Sequence, residues 1–70
     1  MRTVIISVEP VELFKILKFE GLVSSGGEAK LVISNGLVSV NGTVETRKRK
    51  KIVGGDIIEF GGEKIQISLG

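Results

Sequence analysis

Five consecutive cationic side chains, Arg47, Lys48, Arg49, Lys50 and Lys51 in the stretch ETRKRKK, are the residues of this chain best suited to act on a partner. Each cation brought near a phosphate releases condensed counterions, and Arg47 and Arg49 can also grip a phosphate bidentately. The run is local. Without its five charges the net charge of +2 becomes −3, so a slightly acidic body carries one basic block. That concentration points to an anionic partner more than to general solubility. A second candidate lies in SSGGEAK, where Ser25 opens a helix and Gly26 and Gly27 leave bare backbone at its start. N–H groups at a helix N-terminus, with the dipole behind them, attract anions. A flexible junction, or tight packing on a neighbouring helix, explains the same two glycines equally well.

Other chemistries are excluded by composition. The chain has no Cys and no His, which removes disulfides, thiolate nucleophiles, zinc sites of the Cys/His kind and the Ser-His-Asp triad. The carboxylates are scattered, each with an ordinary structural role available, so neither an enzyme nor a cofactor is expected. Aromatic residues are only Phe14, Phe19 and Phe60. Phe14 and Phe60 fall on apolar faces, and Phe19, beside a helix end, is expected to pack. Single-strand readers stack bases on exposed rings, so a structured RNA suits this inventory better, with DNA open on charge alone.

The elements that must position these residues follow from local patterns. Seventy residues make one domain. TVIISV (3–8) is β-branched and reads as a strand. Pro10 suits the first position of a helix. Through PVELFKILKFEGL the charged Glu12, Lys15 and Lys18 keep to one arc, leaving Val11, Leu13, Phe14, Ile16 and Leu17 for the core. Gly21 ends that helix as a left-handed cap, with Leu22 as its apolar contact. The second helix opens on Ser25 and Glu28 as a capping box, buries Ala29, Val32 and Ile33, and closes at Asn35-Gly36. From residue 37 the period becomes two. Asn41-Gly42 predicts a type I′ hairpin, Gly54-Gly55-Asp56 a turn, and IIEF with KIQIS a second hairpin around Gly61-Gly62. Ile57, Phe60, Ile65 and Ile67 are its expected core. The order is strand, helix, helix, then four short strands. The fold class is α+β: two adjoining helices packed on a small, mostly antiparallel sheet.

With those elements in place the chain resembles the S-four RNA-binding domain, or alpha-L motif, in particular its small stand-alone YbcJ-like members. Ser25, Ala29, Val32, Ile33, Gly36, Val38, Val40, Asn41 and Gly42 fall on the family spacing, and Gly55-Asp56-Ile57 supply its later element. The match runs from residue 11 to 60. The resemblance implies binding of structured RNA, commonly ribosomal or transfer RNA, by the paired helices and the basic loop. It implies contacts at Ser25 and the helix start, at Lys30 and at Arg47–Lys51; Lys18 adds a flanking cation. The family's frequent Arg after the serine is Gly26 here, so backbone N–H groups of Gly26 and Gly27 would stand in for a side chain.

Competing readings are a solvated, charged strand edge, an acidic receptor for the basic peptide, and a β-grasp sulfur carrier. The last needs a C-terminal Gly-Gly, whereas the sequence ends Ser68-Leu69-Gly70. A membrane role has poor support, because Lys15 and Lys18 on the first helix are balanced by Glu12 and Glu20. No apolar run approaches the ~20 residues that cross a bilayer, and no secretory leader is visible at the start. A cytoplasmic monomer without a small-molecule substrate is the expectation.

Overall fold

Alternating apolar residues along the strands decide which face of the sheet is covered. The computed structural model describes residues 1–70. Its elements are β1 (Arg2–Ile6), β2 (Val11–Glu12), α1 (Leu13–Phe19), α2 (Gly26–Ser34), β3 (Val38–Val40), β4 (Thr43–Val44), β5 (Lys51–Ile52), β6 (Ile57–Phe60) and β7 (Glu63–Leu69). The main sheet runs β1-β7-β6-β3-β4, antiparallel throughout except for the parallel β1–β7 pair. Val4, Ile6, Val38, Val40, Ile58, Ile65 and Ile67 are buried on one face. Against them pack Leu13, Ile16 and Leu17 of α1 and Ala29 and Ile33 of α2. Ala29 is fully buried, and its small side chain lets the helices approach. The expected α+β class, two adjoining helices on a mostly antiparallel sheet, is the fold found.

The local signals are realised closely. Asn41 and Gly42 both have positive φ, as do Gly61 and Gly62, so both hairpins turn through the type I′ conformation. The Leu22 N–H donates to the Leu17 carbonyl and the Gly21 N–H to that of Lys18, which closes α1 in a Schellman motif. Leu37 and Gly36 close α2 the same way on Val32 and Ile33.

Several expectations are corrected. β1 ends at Ile6, and Pro10 does not begin the helix, because Val11 and Glu12 pair antiparallel with Ile52 and Lys51. The helix therefore starts at Leu13, and five strands follow the helices, β5 being the addition. In the capping box the Glu28 N–H does donate to Ser25 Oγ (3.1 Å), but the Glu28 carboxylate reaches back to the N–H and Oγ of Ser24. In β6 the fully buried residue is Ile58, with Ile57 half-buried on the other side of the strand. Phe19 is 67% exposed: it is the last helical residue, and its direction carries it off the core stripe.

Candidate nucleic-acid interface

The basic run lies in the loop between β4 and β5, and backbone bonds hold that loop down at both ends. The Glu45 N–H donates to the Val38 carbonyl (2.9 Å), and the Lys50 N–H to the Arg47 carbonyl (3.1 Å), folding the run into a turn. The first N–H groups of α1, on Leu13 and Phe14, have no acceptor within their own helix. They donate instead to the carbonyls of Lys50 (2.9 Å) and Lys48 (3.1 Å). The run ends in β5, where Lys51 and Ile52 pair with β2, and the fully buried Ile52 side chain pins the strand into the core. The turn after β5 is tied by Asp56, whose Oδ2 accepts from the Val53 N–H (2.9 Å) and whose Oδ1 accepts from Asn41 Nδ2 (3.0 Å). Asn41 Oδ1 in turn accepts from the Ile57 N–H (2.9 Å). The Asn-Gly and Gly-Asp pieces of the sequence pattern are thus one bonded unit across the sheet.

This anchoring forces like charges together. Arg47, Arg49, Lys50 and Lys51 line a concave cleft of about 380 Å³ that contains no hydrophobic residue; Lys48 is exposed outside it. Two carboxylates outside the lining, absent from the sequence-based site, stand beside its arginines. Glu45 binds Arg47 with Oε2–Nε at 2.9 Å and Oε1–Nη2 at 3.1 Å. Glu12 sits 3.2 Å from Lys15 Nζ and 3.8 Å from Arg49 Nη1. The Arg47 side chain, then its backbone N–H, hold the Glu45 carboxyl down to about 2, and Glu45 raises the Arg47 guanidinium in return. An i, i+2 Glu–Arg spacing in extended chain was the available signal for the first pair, and Glu12–Lys15 at i, i+3 for part of the second.

The start of α2 is joined to this region through Phe14. Its N–H binds the loop, and its half-buried ring lies 4.8 Å from Lys30 Nζ and 5.9 Å from Lys15 Nζ, within cation–π range. A Cβ on Gly26 would meet the same ring at 4.0 Å and Lys18 Cδ at 3.7 Å, while one on Gly27 would meet only Ser25 Oγ at 3.9 Å. These are ordinary contacts, so packing within the chain does not require either glycine. Gly26 and Gly27 donate to no acceptor in the chain, as the first two residues of a helix must. The Glu28 carboxyl beside them is lowered, first by the Ser24 N–H and then by the Ser24 hydroxyl. Lys18 Nζ leans over the exposed Phe19 ring at 5.6 Å. On the side of the fold carrying β1, exposed Ile5, Val8 and Phe19 border a separate apolar groove.

A family model described as the S4 domain matches residues 4–68. The chain is 51% identical over 57 residues to YbcJ of Escherichia coli (strain K12) and to YbcJ of Shigella flexneri, covering 81% of each chain. The solution structure of E. coli YbcJ, described as revealing an alfaL motif involved in RNA-binding, superposes with a TM-score of 0.74 at 45% identity over 97% of this chain and 87% of that one. The 30S ribosomal protein S4e of Thermoplasma acidophilum matches at TM-score 0.67 and 31% identity, over 81% of this chain but 30% of its own length. Fold, motif order and extent of similarity together establish that the chain belongs to the S4 domain family.

Proposed function

We propose that this chain is a non-catalytic module that captures the phosphate backbone of a structured RNA, ribosomal or transfer RNA, as a cytoplasmic monomer. The observation that carries the reading is the cleft lined by Arg47, Arg49, Lys50 and Lys51, with no hydrophobic residue, on a loop bonded to α1. A rigid cationic concavity matches an array of phosphates held by RNA structure better than a chain that must be ordered on binding. Lys48 extends the field outside the cleft. Ser25, Gly26 and Gly27 at the start of α2, with Lys30, set the register, and Lys18 flanks them. What is described for YbcJ, an RNA-binding motif, supports the class of ligand.

The test is binding to a structured ribosomal RNA fragment across a salt series, beside duplex DNA and single-stranded RNA of equal charge. If each of the four cleft cations meets one phosphate, raising salt fourfold weakens the parent by about 150-fold, on the slope of ~0.9 per contact found for B-DNA. The variant R49Q/K50Q/K51Q then weakens by only about 3.5-fold over the same range. Equal, weak binding of all three ligands with an unchanged variant would make the run a solvated edge.

A further inference from the structure

Arg47 of the cleft is already held by a carboxylate and Arg49 stands 3.8 Å from a second, whereas the cleft lysines pair with neither. Glu45 takes the Nε–Nη2 side of Arg47, the side that forms a fork with an oxyanion, and its Oε2 also accepts the Arg47 backbone N–H at 3.0 Å. The Glu45 side chain is 12% exposed against 71% for Arg47, so a fixed carboxylate presents a solvent-facing guanidinium. Glu12, similarly recessed at 28%, stands beside Arg49. Lys48, Lys50 and Lys51 make no ion pair. A cleft selected only for the strongest pull on polyanions would carry neither glutamate.

Two consequences follow. Each carboxylate lowers the positive potential of the cleft, which weakens its attraction for every polyanion alike. Glu45 also restricts Arg47 in advance. A free Arg side chain has rotamer entropy to lose, and a side chain already ordered has less to lose when a phosphate arrives. The gain goes only to a ligand whose phosphates already stand where the restrained guanidinium can reach them. Discrimination can come from an element acting against the wrong partner as well as from one favouring the right one.

We infer that Glu45 is a positioning residue that sets the specificity of the cleft, weakening its grip on flexible polyanions while holding Arg47 for a phosphate array of fixed geometry. The inference rests on the RNA reading above, and its test separates the two. Glu45→Gln is compared with Glu63→Gln, the same charge change at an exposed carboxylate of β7 that has no ion-pair partner. Both are titrated with the structured ribosomal RNA fragment and with polyuridylate of equal charge. Glu45→Gln should bind polyuridylate about threefold more tightly and the structured RNA about threefold more weakly, cutting the preference by roughly tenfold. Glu63→Gln should leave the preference unchanged. In the absence of RNA, the Arg47 Nε–H signal should exchange slowly in the parent and fast in Glu45→Gln, reporting the pair itself. A preference unaltered in Glu45→Gln, or an Arg47 Nε–H that exchanges equally fast in both, overturns the inference. A parent with no preference for structured RNA overturns the RNA reading, and the inference falls with it.

Discussion

Removal of the Asp56 side chain tests whether the link between the Asn-Gly hairpin and the Gly-Asp turn supports the basic loop. Asp56 accepts from Asn41 Nδ2 at 3.0 Å and from the Val53 N–H at 2.9 Å. Hydrogen bonds to charged acceptors are worth ~1.5–3 kcal/mol when well shielded, and about 1 kcal/mol is the fair figure at this partly solvated turn. Asp56→Ala should therefore cost about 2 kcal/mol, out of roughly 3.5–10 kcal/mol for a domain of this size. The melting temperature should fall by about 8–16 °C. Urea titration followed by far-UV circular dichroism is the assay, with a lower midpoint at unchanged slope as the expected result. A double-mutant cycle with Asn41→Gly, which tolerates the positive φ at that residue, should return a coupling near 1 kcal/mol for the side-chain bond. A loss under about 0.5 kcal/mol, ordinary for a surface substitution, or a coupling of zero, would refute the reasoning. The loop would then be held by β2 and α1 alone.

Two further outcomes are expected. Gly27→Ala should raise stability by about 0.5 kcal/mol, because Ala constrains the unfolded chain and its Cβ meets nothing closer than 3.9 Å. The same change should weaken binding of the structured RNA, since a glycine that the chain's own packing does not need leaves backbone open to a partner; higher stability with unchanged affinity would remove Gly27 from the interface. The Glu45 carboxyl is lowered from 4.5 to about 2 in the folded chain, so its contribution is complete above about 4.5 and disappears as pH falls through about 2. Acid unfolding of Glu45→Gln, followed by circular dichroism, should lack that part of the decline, while an identical acid profile would mean the Arg47 pair is not maintained in solution.

What could be read from the sequence was whatever neighbouring residues decide. Both type I′ hairpins, both glycine-closed helices and the Ser25 cap rest on interactions spanning only a few residues, so composition and spacing suffice. The α+β class follows because apolar period and turn chemistry agree along most of the chain. The errors lie where distant segments compete for the same backbone. Val11 and Glu12 continue a helical pattern, yet Ile52 and Lys51 capture them as a strand, and Lys48 and Lys50 supply the acceptors that let α1 begin later. Phe19 fits an apolar helix, but only the placement of α1 on the sheet shows that this ring faces solvent.

The candidate site divides in the same way. The sequence by itself determined that a locally basic block exists, that no Cys or His chemistry accompanies it, and that a glycine-rich helix start lies elsewhere in the chain. Charge and residue type are covalent facts and need no fold. Tertiary structure alone decided that four of the five cations share one cleft, that Phe14 joins the loop to Gly26 and Lys30, and that Glu45 binds Arg47 while Glu12 stands beside Arg49. Electrostatic interaction falls with distance through an uneven dielectric, and those distances do not exist until β2, β5 and α1 have been brought together.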